Sequence, residues 1–260
     1  MAAAPENPVL VETAAGVRTL TLHRPDRRNA LDDGLIAALV AALADAAHDD
    51  DARVILLRGA GPDFCAGADL AALERLVADA DLLTNLADAG ALGALLVTMR
   101  RHPKLLVAAV HGHALAGGAG LATACDLVIA RDDAVFGYPE VRMGFVPAMV
   151  MALLRRVVGE KVAMELVVRG DRIGAAEAAA LGLVNRVLPE QEWDDGVRGY
   201  VEELAARSAS AVSLAKRLLY GIDGLSFEEA IGRGAEVNVL ARMTPDTREG
   251  VRRFLRRKKE

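Results

Sequence analysis

Short apolar runs alternate with longer segments of helical spacing along much of the chain. Residues 54–57 (Val-Ile-Leu-Leu) and 105–110 are continuous apolar runs followed by turn residues, which is typical of buried strands. Leu and Ala recur at helical spacing over residues 31–47, and a helical pattern resumes from Ala68. Strands that alternate with helices in this way predict an α/β core.

Weaker patterns complete the predicted order of elements. Residues 9–22 predict a β-hairpin that turns at residues 14–16, and residues 112–118 predict a turn with a helix starting at Leu121. Further strands are predicted over residues 127–130, 135–137 and 183–187, and further helices over residues 151–158, 161–168 and 175–181. The pattern is helical from Trp193 to the end. We therefore predict an α/β core at residues 1–195 and a helical region for assembly at residues 196–260.

Composition and charge narrow the classes of function. The 260 residues are 53% hydrophobic, which allows a sizeable core, and the net charge of −5 argues against a nucleic-acid binder. The basic cluster at residues 252–259 is typical of a solvated helix end, with help in holding a phosphorylated ligand as the alternative. Cys65 and Cys125 predict buried, reduced thiols. Without a signal peptide or a long apolar run, we expect a cytoplasmic protein and no membrane partner.

Two glycine-containing turns share one physical design. Residues 64–70 (Phe-Cys-Ala-Gly-Ala-Asp-Leu) and 113–121 (His-Ala-Leu-Ala-Gly-Gly-Ala-Gly-Leu) each follow a predicted strand and open a predicted helix. Helix N-termini carry unpaired N–H groups, and small residues let a ligand approach them. Two such turns side by side would form a two-donor hole for an oxyanion.

Other chemistries fit the sequence less well. Gly118 and Gly120 imitate a dinucleotide-binding fingerprint, but the position that requires Gly or Ala is Thr123. The serines fall in the helical tail outside any GxSxG motif, and no HExxH motif or His/Cys cluster predicts a metal site. His111 and His113 near a strand end are more typical of a packed or surface role than of catalysis.

In combination, several blocks resemble the enoyl-CoA hydratase/isomerase (crotonase) superfamily. They are residues 64–70, 114–126, 136–144 (Phe-Gly-Tyr-Pro-Glu-Val-Arg-Met-Gly), 170–178 and 182–185, and the resemblance runs from Arg24 to Phe254. It implies a crotonase-like spiral of ββα units with a helical C-terminal region that forms trimers, often paired into hexamers. It also implies an acyl-CoA substrate, with coenzyme A as the carried group and no metal or redox cofactor.

The resemblance also implies roles for single residues. Ala68 and Gly117 match the two N–H donors that hold the thioester oxygen, and Glu140 matches a catalytic glutamate that moves a proton at the α-carbon. Asp69 and Leu70, beside Ala68, match the stretch along which CoA lies, and residues 24–30 resemble the loop near its phosphates. The implied contacts with the CoA thioester are Ala66, Ala68, Asp69, Leu70, Gly117 and Arg28, with Arg27 as a further candidate for the phosphates.

The second glutamate of the two-glutamate hydratases has no counterpart here, because Gly120 stands at its position. Glu140 would then act alone, or with an acid from residues 79–81. Three hypotheses follow: a hydratase of short-chain or branched 2-enoyl-CoA, a 3,2-enoyl-CoA isomerase with Glu140 as the single proton shuttle, and a non-catalytic acyl-CoA-binding homologue.

Overall fold

A six-stranded sheet forms the centre of the molecule, for which the computed structural model describes residues 7–79 and 81–257. The strands lie in the order β1-β2-β3-β4-β6-β9 and are parallel except for the β1–β2 hairpin. The bounds are β1 Val9–Ala14, β2 Val17–Leu22, β3 Val54–Gly59, β4 Leu105–Val110, β5 His113–Leu115, β6 Leu127–Arg131, β7 Val135–Gly137, β8 Arg172–Gly174 and β9 Arg186–Leu188. The predicted α/β class is therefore confirmed.

Helices cover both faces of this sheet. Their bounds are α1 Asp33–His48, α2 Leu70–Asp79, α3 Leu82–Arg101, α4 Gly117–Ala124, α5 Ala148–Val157, α6 Glu160–Arg169, α7 Ala175–Ala180, α8 Trp193–Ala205, α9 Ala209–Gly221, α10 Phe227–Met243 and α11 Pro245–Arg257. Alternate residues of β3 enter different clusters: Ile55 packs in the cluster on the side of α1, and Leu56 in the cluster on the side of α8. Because both faces of β3 are buried, its sequence is continuously apolar.

A second, three-stranded sheet was not fully predicted. It consists of β5, β7 and β8, of which only β7 was expected. Three-residue strands give too little alternation to be recognised. The helix α4 begins at Gly117 rather than at Leu121, because tertiary contacts override the low helix propensity of the glycines. The strand predicted over residues 183–187 begins only at Arg186, since Leu183 and Val184 are buried by packing outside a strand.

A buried ion pair joins α9 to the sheet. Lys216 is 7% exposed, and its Nζ lies 2.7 Å from Oδ2 of Asp126. The same ammonium donates to the carbonyl oxygens of Met99 and Lys104, and the hydroxyl of Tyr220 donates to Oδ1 of Asp126 at 2.8 Å. Burial lowers the pKa of Lys216, and the Asp126 carboxylate opposes that shift. We refer to this set below as the Lys216 network.

The C-terminal helices differ in how they contact the rest of the molecule. Val197 and Val201 of α8 are buried on the sheet, so the predicted boundary at residue 195 lies inside a helix that covers the core. The helices α9 to α11 instead expose large apolar side chains, which are Leu219, Phe227, Ile231, Val239, Leu240, Met243, Val251, Phe254 and Leu255. The division into two regions and the role in assembly stay predictions.

The helix α3 contradicts the expectation that no segment is apolar enough to cross a membrane. In the described part of the chain, it is a helix whose length and composition would allow it to cross a bilayer. Polar residues interrupt the apolar sequence of α3, so a search for uninterrupted apolar runs does not identify this helix. Its Leu95, Leu96 and Met99 are buried in the main core cluster, whereas Leu82, Leu83 and Leu86 near its N-terminal end are exposed.

Candidate active site

The amide of Ala68 is presented by a short contact between two loops. Leu31 donates from its amide to the carbonyl of Gly67 at 2.7 Å, and Asp69 donates to the carbonyl of Leu31 at 2.8 Å. In this parallel bridge the N–H of Ala68 takes no part, because it lies between the two bonded peptides. It is a donor held on a fixed backbone and available to a ligand.

The amide of Gly117 lies beside that loop. A second bridge joins Cys65 to Ala114, with Leu115 donating to the carbonyl of Cys65 at 3.0 Å. A Cβ atom on Gly67 would lie only 3.5 Å from the nitrogen of Gly117 and 2.8 Å from the carbonyl oxygen of Leu115. With φ of +97°, Gly67 also has a backbone conformation that favours glycine. The two predicted donors are therefore neighbours, as the turn chemistry requires.

The peptide that carries the Gly117 amide is strained. Ala116 has φ 49° and ψ −121°, a conformation that an L-residue rarely adopts. Its own amide donates to the carbonyl of Gly137 at 2.8 Å, and its carbonyl accepts from Gly120 at 2.9 Å, so both ends are fixed. Because Gly117 is the first residue of α4, its N–H has no intrahelical acceptor. The strained backbone at Ala116 thus orients the N–H of Gly117, which is free to donate.

Arg24 ties the two helices next to Ala68 together. Its guanidinium lies 3.1 Å from Oδ2 of Asp69 and 2.8 Å from Oδ2 of Asp32. Asp32 accepts from Leu35 as the N-cap of α1, and Asp69 accepts from the amide of Ala71 at the start of α2. Arg24 holds the pKa of Asp69 below its usual range against the effect of burial. The cation thus fixes the chain on both sides of the Ala68 loop.

These turns open into a cavity of about 1180 Å³. Six of the seven predicted site residues line it, namely Ala66, Ala68, Asp69, Leu70, Gly117 and Glu140. Most of the remaining wall is apolar and comes from α1, α2, α3 and α5. A cavity that joins fixed N–H donors, one buried carboxyl group and an apolar wall suits a ligand with a polar reacting centre and an apolar chain.

Glu140 is the buried acid of this cavity. It belongs to the 3-10 helix Pro139–Met143, is 6% exposed, and its Oε2 has no hydrogen-bond partner among the described residues. Burial raises the pKa of Glu140 above its ordinary value. The adjacent Tyr138 is occupied elsewhere, since its hydroxyl lies 3.0 Å from that of Thr123. A buried carboxyl group without a partner is poised to exchange a proton with a ligand.

Val150 fills the space next to Gly120. A Cβ atom on Gly120 would lie 2.6 Å from Cγ2 of Val150, which is 3% exposed on α5. A longer side chain at position 120 therefore has no room while Val150 keeps its place. Neither the steric role of Val150 nor its position in the cavity wall was recognisable in the sequence, because the residue carries no motif.

Arg28 does not line the cavity. Its Nε donates to Oδ2 of Asp63 at 2.6 Å, and its guanidinium also contacts Nδ1 of His113 at 2.9 Å. Burial opposes the ionisation of Asp63, but its bonds to Arg28 and His113 lower the pKa to about 2. His113 is partly exposed, contacts Asp63 and does not line the cavity. The proposed contact of Arg28 with CoA stays a prediction, and Arg28 would have to make it while paired with Asp63.

Other sequence expectations can be placed briefly. Asp81 caps α3 through the amide of Thr84, whereas the side chain of Asp79 and residue 80 lie outside the described residues. Residues 258 and 259 of the basic cluster also lie outside the described residues. Cys65 and Cys125 are buried and unpaired, as expected, and burial raises the pKa of Cys65 to about 12. Sequence reasoning missed several residues of the cavity wall, which are Leu31, Asp33 and Val150.

Known proteins resemble this chain in sequence and in fold. The sequence profile of the enoyl-CoA hydratase/isomerase family matches residues 12–260. A Thermus thermophilus protein provisionally named an enoyl-CoA hydratase is 40% identical over 242 residues, which cover 93% of this chain and 95% of that protein. The 2,3-dehydroadipyl-CoA hydratase of Escherichia coli is 33% identical, with 96% of each chain covered. The crystal structure of an enoyl-CoA hydratase from Mycobacterium smegmatis superposes with a TM-score of 0.92 at 33% identity and covers 97% of each chain.

Proposed function

Because this chain belongs to the enoyl-CoA hydratase/isomerase family and has the crotonase fold, we propose that it adds water to a 2-enoyl-CoA. The observation that carries the proposal is the buried Glu140. Its unpartnered Oε2 belongs to the same cavity as the free amides of Ala68 and Gly117. This arrangement combines a proton acceptor with two donors for an oxyanion.

The reaction follows from these groups. The carboxylate of Glu140 accepts a proton from water while the water oxygen bonds to carbon three of the enoyl group. The electrons of the double bond move onto the thioester oxygen, and the amides of Ala68 and Gly117 stabilise the resulting enolate. Each donor is worth about 3–4 kcal/mol in a comparable hole. The protonated Glu140 then returns its proton to carbon two, which completes the addition and restores the carboxylate.

Substitution of the acid tests the proposal. We expect the protein to remove the conjugated-thioester absorbance of crotonyl-CoA, and Glu140→Gln to lower kcat by about a hundredfold or more. The dissociation constant for a saturated acyl-CoA should change less than about threefold, because the amide donors remain. Glu165→Gln, on the exposed surface of α6, is the matched control. Turnover that survives Glu140→Gln would falsify the role of Glu140.

A second candidate is a 3,2-enoyl-CoA isomerase, favoured by the filled space at Gly120. Since Val150 occupies the position that a second carboxylate would need, one acid serves the cavity from this side. Glu140 would remove a proton from carbon two of a 3-enoyl-CoA and return it to carbon four. Deuterium from solvent would then enter at carbons two and four. Conversion of 3-enoyl-CoA without hydration of any 2-enoyl-CoA would decide for the isomerase, and binding without either reaction would identify a non-catalytic homologue.

Assembly, cofactor use and location form the last part of the proposal. The large apolar side chains exposed on α10 and α11 support a homotrimer or homohexamer, which light scattering would distinguish from a monomer. We expect activity without added metal or redox cofactor, and no loss of activity in a chelator. The buried, unpaired Cys65 and Cys125 fit a reducing compartment such as the cytoplasm.

A further inference from the structure

Two carboxylates without a partner lie on the wall of the cavity. Asp33 is the first residue of α1, and Asp88 lies in the middle of α3. Within the described residues, neither side chain forms an ion pair or a hydrogen bond. The cavity's other aspartates, Asp32 and Asp69, are both paired with Arg24. The charges of Asp33 and Asp88 are therefore the ones left uncompensated.

The two groups line the same cavity from neighbouring helices. The helices α1 and α3 pack against each other. The pKa of Asp88 is raised first by burial and then by the negative charge of Asp33. A third acid, the buried and unpartnered Glu140, opens into the same space. Asp33 is exposed and Asp88 is half-buried, so an anion that enters this part of the cavity would meet like charges, of which Asp88 is the less screened.

The positions of Asp33 and Asp88 relative to the amides of Ala68 and Gly117 place both carboxylates beside the acyl group. Leu92 on α3 lies 3.8 Å from where a Cβ atom on Gly117 would be, and Leu31 lies 3.0 Å from the same point. Asp88 precedes Leu92 by one helical turn, about 6 Å along the axis, and Asp33 follows Leu31 by two residues. A thioester held at Gly117 would therefore direct its acyl chain into the space between α1 and α3.

We propose that Asp33 and Asp88 make this cavity selective for uncharged acyl groups and against acyl groups that end in a carboxylate. The inference rests on the proposed function, because it assumes an acyl thioester at Ala68 and Gly117. Apolar side chains on α1 and α3 accept a hydrocarbon chain, while the two carboxylates repel an anionic one. Arg75, a cation of the same wall, is exposed on α2.

Binding of two saturated ligands tests the proposal apart from catalysis. Hexanoyl-CoA and adipyl-CoA have acyl chains of equal carbon number, and the adipyl chain ends in a carboxylate. By calorimetry, we expect the protein to bind hexanoyl-CoA at least about tenfold more tightly. The double variant Asp33→Asn with Asp88→Asn should reduce this ratio to about threefold or less. The change should come from tighter binding of adipyl-CoA, with hexanoyl-CoA nearly unaffected.

Each control answers one alternative. Asp45→Asn removes the same charge from an exposed position of α1 outside the cavity wall and should leave the ratio unchanged. Equal binding of both ligands, or a ratio that the double variant does not alter, overturns the proposal. Binding of the adipyl carboxylate by Arg75 also overturns the proposal. This outcome is shown if Arg75→Gln weakens the binding of adipyl-CoA and leaves the binding of hexanoyl-CoA unchanged. Selective binding without any hydration refutes the proposed hydratase only, whereas failure to bind either ligand refutes both.

Discussion

A single methyl group at position 120 should reveal the packing that closes one side of the cavity. The added Cβ atom of Gly120→Ala would lie 2.6 Å from Cγ2 and 3.6 Å from Cγ1 of Val150. Both residues are buried between α4 and α5, and a valine side chain in a helix is confined to one main rotamer. Val150 therefore cannot move away without shifting its helix.

Gly120→Ala has two effects of opposite sign on the free energy of unfolding. Overpacking of this kind costs about 1–3 kcal/mol, while alanine in place of glycine inside a helix contributes about 1 kcal/mol. We expect Gly120→Ala to lower the free energy of unfolding by about 1 kcal/mol. Val150→Ala alone should lower it by about 2 kcal/mol, because it leaves a cavity. In the Val150→Ala background, Gly120→Ala should instead raise it by about 1 kcal/mol, so the coupling energy is about 2 kcal/mol.

Urea unfolding of the parent, the two single variants and the double variant at equal protein concentration measures this coupling. The change of sign between the two backgrounds is the diagnostic result. A Gly120→Ala protein as stable as the parent, with a coupling below about 0.5 kcal/mol, would show that Val150 does not close this space. The single-carboxylate argument for the isomerase would then lose its structural support.

Three further predictions concern single residues. The acid limb of kcat/KM should have an apparent pKa above the ordinary glutamate value of 4.5, because burial raises the pKa of Glu140; a limb at or below that value would contradict the assignment. Asp63→Asn should remove about 2 kcal/mol of stability at neutral pH, and it should flatten the stability loss that the parent shows as pH falls from about 4 to about 2, since the folded-state pKa of Asp63 is lowered from 3.8 to about 2. Equal slopes in urea titrations across that range would refute this. Ala116→Gly should raise the free energy of unfolding by about 1 kcal/mol through relief of strain, which thermal and urea unfolding would detect.

The larger elements follow from sequence patterns because their periodicity is long enough. The apolar run of β4 matches its strand residue for residue, and the Leu and Ala spacing located α1 to within two residues. The short strands β5 and β8 were not predicted, because their pairing depends on partners distant in sequence. The start of α4 was wrong since glycines oppose a helix locally, whereas in the fold a side chain on Gly118 would lie 2.1 Å from the carbonyl oxygen of Cys65.

The candidate site likewise has a part that the sequence predicts and a part that it does not predict. Ala66, Ala68, Gly117 and Glu140 belong to recognisable blocks, and the structure brings them to one cavity. The wall for which we propose selectivity contains residues without a motif, such as Asp88. Their meaning arises only when α1, α3 and α5 pack together. The sequence blocks thus predict the proposed reacting centre, while the proposed selectivity depends on tertiary packing.

The Lys216 network has a consequence for how the chain unfolds. A carboxylate from the sheet region, two carbonyl groups near the end of α3 and an ammonium from α9 satisfy one another in the interior. Detaching α9 would leave Asp126 as an uncompensated buried charge, which costs about 3–5 kcal/mol. The C-terminal helices are therefore expected to separate from the sheet only when the whole molecule opens, so that proteases and hydrogen exchange meet a single cooperative unit rather than a core with a detachable appendage.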